Sequence, residues 1–222
     1  ALAAGIWDAV SFITHDGQAS ELIVNGEVQS QNLPSGVNPR TSIGQREDGA
    51  VLLLVLSLPT RAAASDAAEA DSASVRHRVV LRTNLLFTLP EGDTHILGVT
   101  SSLRGEGKST TAINLAYSLA QSGKRVLLID GDMRLPSVAG KLEMEQSPGL
   151  SNLLASLCAE KDALRQSTQY ENWYILPAGD VPPNPSELLG SERMHALLQR
   201  FTGFFEYIIV DLPPVTATLD RA

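Results

Sequence analysis

The sequence predicts an α/β fold, in which helices flank a parallel sheet and a small β-rich segment precedes it. Three observations lead to this prediction. Short apolar runs recur through residues 94–211 and alternate with stretches of helical spacing. Acidic residues directly follow two of these runs. A glycine-rich loop, residues 102–110, lies between the first run and the first helical stretch. Strand, loop and helix in this order are typical of a phosphate-binding site.

The glycine-rich loop reads SLRGEGKST. Gly105 and Gly107 allow main-chain N–H groups to turn towards phosphate oxygens, and the following helix adds the positive end of its dipole. In such a loop Lys108 reaches the β- and γ-phosphates, and the hydroxyl of Ser109 is a ligand for Mg²⁺. The strict pattern has glycine where this chain has Ser102, so we expect an altered entry turn. A glycine-rich surface turn is the alternative interpretation.

Two of the apolar runs end in carboxylates. Val126–Ile129 leads into Asp130 and Asp132, and Tyr207–Val210 leads into Asp211. Continuous apolar runs are typical of strands buried on both faces, and ligands of open α/β sheets bind outside the carboxyl ends of the strands. Asp130 and Asp132 should point the same way if the strand continues that far. A solvated acidic turn is the alternative for this pair.

Periodicity and capping patterns predict the remaining elements of this half. Four strands are expected, over residues 96–100, 126–130, 173–177 and 207–211. One helix is predicted over 111–120, ending at Gly123, and another over 192–201. Asn184 begins a pattern of cap, first-turn proline and third-position acid that indicates a helix start. Because few residues follow the last strand, we expect a sheet with an uncovered edge.

The motifs resemble those of the bacterial tyrosine kinases that act in capsular and exopolysaccharide synthesis. The resemblance covers about residues 81–222 and rests on TSSLRGEGKST, LLIDGDMR and IIVDLPP, with support from LRTNLLF, PGLSNLL and LPAGDVPPNPSELL. It implies a P-loop NTPase-like fold, ATP and Mg²⁺ as cofactors, and phosphate transfer to protein tyrosines, including the kinase's own. Family members continue with further strands and a tyrosine-rich tail, so we expect a truncated domain with an incomplete sheet.

The resemblance also implies roles for the matching residues. Asp130 and Asp132 would divide metal coordination and activation of the acceptor hydroxyl, and the sequence leaves open which of them is the base. Asp211 would hold Mg²⁺ through water. The predicted catalytic residues are Lys108, Asp130 and Asp132. The predicted nucleotide-binding residues are Ser102, Arg104, Gly105, Glu106, Gly107, Lys108, Ser109 and Thr110. The predicted metal ligands are Ser109, Asp132 and Asp211.

Two other functions stay open from the sequence. Switch ATPases of the partitioning type carry a second lysine early in the loop, where this chain has Leu103. An inactive remnant or interaction module is the third hypothesis, because of the expected truncation. The family also forms rings through an E-x-x-R-x-x-R helix. Arg82 fits its last arginine, whereas its earlier places hold Arg76 and Val79.

The first part of the chain follows a different pattern. Residues 1–58 are β-rich, with hairpins predicted around an Asn-Gly pair at 25–26 and an Asp-Gly pair at 48–49. ELIVNGEVQS and NPRTSIGQREDGAVLLLVL resemble part of the phosphodiester glycosidase family, more weakly. Alanines and acids in residues 59–74 predict a linker. We therefore expect a partial glycosidase-like segment, a linker and a tyrosine-kinase-like domain at 75–222.

The composition restricts the binding partners and the cellular compartment that we expect for this protein. The chain has 222 residues and a net charge of −8, which argues against nucleic acid as a partner. Cys158 is the single cysteine, so no internal disulfide is expected and a reducing compartment fits. Val51–Leu58 is shorter than the roughly 20 apolar residues that cross a bilayer. By the resemblance, we expect a cytoplasmic protein at the inner face of the cell membrane. A transmembrane polysaccharide co-polymerase-like adaptor and a homo-oligomer are the implied partners.

Overall fold

The structure is a computed structural model that describes residues 94–101 and 104–214, together with Arg82 and the backbone of five earlier strands. The early strands are β1 (Asp8–Ile13), β2 (Ala19–Val24), β3 (Glu27–Val28), β4 (Arg40–Gln45) and β5 (Val51–Leu56). The later strands are β6 (His95–Thr100), β7 (Val126–Asp130), β8 (Arg165–Gln166), β9 (Trp173–Leu176) and β10 (Tyr207–Asp211). The helices are α1 (Lys108–Gln121), α2 (Val138–Lys141), α3 (Leu150–Leu154), α4 (Glu160–Ala163), α5 (Pro185–Leu189) and α6 (Glu192–Thr202).

The described strands form one sheet in the order β3-β2-β1-β4-β5-β6-β10-β7-β9-β8. Strands β6, β10, β7 and β9 are parallel to their neighbours within this group. They correspond to the four strands predicted from the apolar runs. β7 and β10 are buried at every position, as continuous apolar runs require. Because β10 lies between β6 and β7, the carboxyl ends of these three strands are adjacent.

Apolar side chains pack on both faces of the parallel strands. On one face, α1 buries Leu115 and Leu119 against the sheet. On the other, α6 buries Met194, Leu197 and Phe201. Spacings of three and four residues place these side chains on one side of each helix. This arrangement confirms the predicted α/β class.

The helix boundaries follow local signals with small differences. α1 begins at Lys108, three residues before the prediction, because Gly107 already adopts the left-handed cap conformation. It ends as predicted near Gly123, which has a φ of 87° and donates its N–H to the carbonyl of Ala120. α5 starts after Asn184, but that side chain donates to Glu187 Oε2 at 2.6 Å and accepts no main-chain N–H.

Both hairpins predicted in the first part are confirmed by antiparallel pairing. In β2 and β3, Ile23 lies opposite Val28, and β4 pairs with β5 along its whole length. β5 also runs parallel to β6. The uncovered sheet edge that we expect from the sequence therefore does not lie at β6, where β5 pairs. Sequence patterns do not reveal such pairing between distant strands.

Several predictions fall outside the described residues. These are the turns at 25–26 and 48–49, the linker at 59–74, and residues Arg76 and Val79 of the ring-forming pattern. The boundary between a first domain and a kinase-like domain stays a prediction, as does the glycosidase-like resemblance. Within the described part of the chain, no helix is both long and apolar enough to cross a membrane.

Candidate functional site

The glycine-rich loop turns directly into α1. Gly105 and Gly107 have φ angles of 82° and 90°, in the left-handed region that glycine enters without steric cost. Gly107 is the residue before the helix and Lys108 is its first residue. The first main-chain N–H groups of a helix have no acceptor within it and carry its positive dipole end. The loop therefore presents the geometry of an anion site.

Lys108 lies among the carboxylates at the strand ends. Its Nζ is 2.8 Å from Asp132 Oδ2, 3.6 Å from Asp211 Oδ1 and 3.3 Å from Ser109 Oγ. The Lys108 side chain is 11% exposed and that of Asp211 is 0% exposed. Charges buried to this degree need partners. The structure thus brings together residues from the loop, from β10 and from the turn after β7.

Asp211 carries a negative charge that is incompletely compensated. It is fully buried, and neither of its carboxylate oxygens accepts a hydrogen bond of standard geometry from the described residues. Burial raises its pKa to about 6, against the opposing effects of Lys108 and the nearby Ser109 hydroxyl. A buried carboxylate without hydrogen bonds is costly. Carboxylate and hydroxyl oxygens are the ligands that Mg²⁺ prefers, so Asp211 and Ser109 fit such an ion.

Asp130 organises the turn that follows β7. Its Oδ1 accepts the N–H of Asp132 at 3.2 Å, and its Oδ2 accepts those of Ser137 and Val138 at 3.1 and 3.0 Å. Burial raises the pKa of Asp130, while these three main-chain donors oppose the rise. Both oxygens are occupied. The side chain therefore holds the turn in place.

Asp132 has different surroundings from Asp130. Its Oδ2 pairs with Lys108, and its Oδ1 accepts the N–H of Leu135 at 3.2 Å. The expectation that the two acids point the same way required the strand to continue, but β7 ends at Asp130. The backbone turns at Gly131, and this turn separates the environments of the two carboxylates.

The other predicted loop residues differ in their exposure to solvent. Arg104, Gly105 and Thr110 are exposed, Glu106 is half-buried and Ser109 is buried. Ser102 lies outside the described residues. Among the residues that the structure does describe, no group of three or more His, Cys, Asp or Glu side chains has metal-binding geometry.

Sequence reasoning missed two residues next to this site. Gly131 donates its N–H to the carbonyl of Asp211 at 2.8 Å, and a Cβ at Gly131 would lie 2.9 Å from that oxygen. Arg134 Nη2 donates to Ser186 Oγ at 2.9 Å, which ties the turn after β7 to α5. Both residues are part of the quoted motif LLIDGDMR. The glycine between two acids was a signal for close backbone approach.

Known proteins are similar to this chain in sequence and in fold. Residues 94–222 match the family model described as AAA domain. The tyrosine-protein kinase YwqD of Bacillus subtilis (strain 168) is 39% identical over 140 residues, which cover 63% of this chain and 59% of that protein. The solved VpsO kinase domain is 34% identical with a TM-score of 0.60, covering 68% of this chain and 75% of the other. The kinase domain of the Escherichia coli tyrosine kinase ETK is 34% identical with a TM-score of 0.59, covering 63% and 55%. The chain spans about three fifths of the length of these curated tyrosine-kinase relatives.

Proposed function

We propose that this chain, which belongs to the AAA domain family, carries the catalytic site of an ATP-dependent protein-tyrosine kinase. The resemblance to bacterial tyrosine kinases noted in the motifs is confirmed by its relatives. Phosphorylation of its own tyrosines and of other proteins would regulate capsular and exopolysaccharide synthesis and export. The observation that supports this proposal best is Lys108, which lies between Asp132 and Asp211 at the end of the glycine-rich loop.

The cofactors proposed are ATP and Mg²⁺. The loop amides from Arg104 to Thr110 would hold the phosphates, and Lys108 would exchange its carboxylate partners for the β- and γ-phosphates. Ser109, Asp132 and Asp211 would hold the metal ion. Bound Mg²⁺ neutralises charge on the transferring phosphoryl group. The chain's contribution is therefore positioning and charge compensation.

Asp132 is the carboxylate that we propose as the proton acceptor. It lies on the turn outside the strand end, whereas Asp130 is fully buried with three main-chain donors on its oxygens. As the tyrosine oxygen bonds to the γ-phosphorus, the bond to the ADP oxygen breaks and the hydroxyl proton passes to Asp132. Asp130 would act through Asp132, by holding its turn.

The partners proposed are protein tyrosines, further copies of this chain, and a transmembrane polysaccharide co-polymerase-like adaptor. The last two come from the family resemblance, which would place the protein at the inner face of the cell membrane. The net charge of −8 gives no support to binding of nucleic acid.

Incubation with γ-labelled ATP and Mg²⁺ tests the function directly. We expect label on tyrosine, detected by phosphoamino-acid analysis, and its loss in Lys108→Ala. Lys141→Ala is the matched control, because Lys141 is an exposed lysine at the end of α2. Free phosphate without labelled protein would instead indicate a switch ATPase. Absence of both products would indicate an inactive interaction module. Either result contradicts the proposal.

A further inference from the structure

A second concave site lies away from the glycine-rich loop. It is a groove of about 950 Å³ between the end of α3, the start of α4 and one side of α6. Leu153, Leu154 and Leu197 give it apolar walls, and Arg193 and Arg200 lie along its edge. It shares no lining residue with the site around Lys108. Its volume is within the range of about 300–1,000 Å³ found for ligand sites.

The two arginines lie on the same side of α6. They are seven residues apart, which is two helical turns and about 10 Å along the axis, so two long side chains can converge on one group. Arg193 Nη1 donates to the carbonyl of Leu154 at 2.7 Å and to Ser156 Oγ at 3.3 Å. Across the described residues, Arg193 makes no further hydrogen bond. Its guanidinium is thus held at the groove with donors to spare.

Arg200 has a partner that an anion can replace. Its Nη2 pairs with Glu160 Oε1, and the two side chains are 64% and 38% exposed. An ion pair this exposed contributes little to stability. A phosphate dianion presents more charge and more acceptor oxygens than a carboxylate, and a guanidinium binds it through two parallel hydrogen bonds. In a chain of net charge −8, two such cations beside an apolar groove favour an anionic ligand with an apolar body.

We propose that this groove binds a phosphotyrosine-bearing peptide segment. The phosphate would bind Arg193 and Arg200, and the aromatic ring would pack on Leu153 and Ala196. The choice of phosphotyrosine rests on the proposed kinase function, since it is the product of that reaction. The shape and charge of the groove do not depend on that function. Binding there would retain phosphorylated chains on the kinase.

Fluorescence anisotropy tests this with a labelled synthetic peptide that carries one phosphotyrosine between alanines. We expect saturable binding, weakened about tenfold in Arg200→Gln and in Arg193→Gln, as for loss of one charge-assisted interaction. Lys161→Gln is the matched control, since Lys161 is exposed on α4 next to Glu160 but does not line the groove. Thermal unfolding of each variant establishes that it is folded.

Cys158 provides an independent readout of occupancy. It lines the groove and is the single cysteine of the chain. Burial raises the pKa of its thiol, so alkylation by iodoacetamide is followed at about pH 8.5, where more thiolate forms. We expect the phosphotyrosine peptide to slow alkylation of the native chain several-fold, and to slow it less in Arg200→Gln.

Three results would overturn the proposal. They are equal binding of the unphosphorylated or the phosphoserine peptide, unchanged affinity in both arginine variants, and unprotected Cys158 at saturating peptide. The measurement does not depend on kinase activity. Lys108→Ala should therefore bind the peptide as the native chain does, and the arginine variants should still bind a fluorescent ADP analogue. The experiments therefore distinguish a groove that does not bind phosphotyrosine from a chain that is not a kinase.

Discussion

At the scale of single residues, the site is defined by how each carboxylate is compensated. Asp130 has three main-chain donors, Asp132 has Lys108 and one main-chain donor, and Asp211 has Lys108 at 3.6 Å without a hydrogen bond. These differences explain why the three acids are not equivalent. We therefore propose the least compensated one, Asp211, as a metal ligand, because a cation gains most where a negative charge is already buried.

Asp211→Asn should stabilise the metal-free protein. Its pKa is about 6 in the folded state, against about 3.9 for an ordinary aspartate. Stability is therefore lost as pH rises from about 4 to about 6, and ionisation costs up to roughly 3 kcal/mol above that. Since this pKa already includes the attraction of Lys108, we expect a gain of about 1–3 kcal/mol at pH 8.

Urea unfolding at about pH 5 and about pH 8 without divalent metal measures this effect. The gain should be larger at the higher pH, and kinase activity should be lost in the same variant. A variant that is less stable than the native chain at both pH values would show that Asp211 is adequately compensated without metal.

Asp130→Asn and Asp132→Asn should fail in different ways. An amide in place of Asp130 loses acceptor capacity for main-chain donors in a buried turn, so we expect a stability loss of about 1–3 kcal/mol. Asp132→Asn breaks the buried ion pair with Lys108, which keeps Asp211 at 3.6 Å, so we expect a stability loss of about 3 kcal/mol and complete loss of tyrosine phosphorylation. Asp130→Asn should retain part of that activity wherever it is folded. Thermal unfolding combined with the labelled-ATP assay separates the two. Full activity in Asp132→Asn would exclude it as the proton acceptor.

At the scale of elements, the short helix α3 is docked by backbone contacts to the loop after β9. The N–H groups of Leu150 and Ser151 donate to the carbonyls of Pro177 and Ala178 at 2.8 and 2.9 Å. Gly149, just before the helix, lies against Gly179 so closely that a Cβ would be 2.4 Å from its nitrogen. Asn152 adds a side-chain hydrogen bond to the same contact, from its Nδ2 to Asp180 Oδ2 at 2.8 Å. The close approach of main chain here explains why Gly149 and Gly179 carry no side chain.

Gly149→Ala should destabilise the protein strongly. The added methyl group would lie 2.3 Å from the carbonyl oxygen of Pro177. A main-chain atom cannot move away from this clash as the end of a flexible side chain can. We expect a loss of about 3 kcal/mol or more. Gly140→Ala is the control, since a Cβ there meets nothing within 4 Å and the residue is helical. It should be neutral or stabilising by about 0.5–1 kcal/mol. Equal midpoints in chemical denaturation would contradict the docking described.

At the scale of the whole molecule, the early strands and the parallel strands β6, β10, β7 and β9 share one sheet. β5 pairs with β4 on one side and with β6 on the other, so it is an interior strand. Because β5 pairs along this edge of β6, another chain cannot add a strand to β6 there. The boundary that we propose at residues 59–74 would then separate two sequence patterns within one sheet.

Leu53→Pro tests whether the sheet unfolds as one unit. Proline in an interior strand removes a ladder donor and should cost about 3 kcal/mol. Trp173 is buried in β9, and Trp7→Phe leaves it as the single tryptophan. We expect Leu53→Pro to lower the urea midpoint reported by Trp173 fluorescence. An unchanged midpoint would mean that the two parts fold independently.

The sequence determined the local features of this protein. The four parallel strands, the loop that leads into α1, the end of α1 near Gly123 and the carboxylates at the ends of β7 and β10 were all predicted, because each depends on a few neighbouring residues. Apolar runs, glycines and strand-end acids are visible without knowledge of the fold. Membership in the family followed from the same local motifs.

Tertiary structure decided the features that depend on residues distant in the chain. It separated Asp130, which holds a turn, from Asp132, which pairs with Lys108. It paired β5 with β6, and it formed the groove of α3, α4 and α6 from residues about 40 positions apart. Periodicity reports which side of an element is buried but not what packs against it. The compensation of each buried charge is therefore fixed by packing, and so are the roles that we propose for Asp130, Asp132 and Asp211.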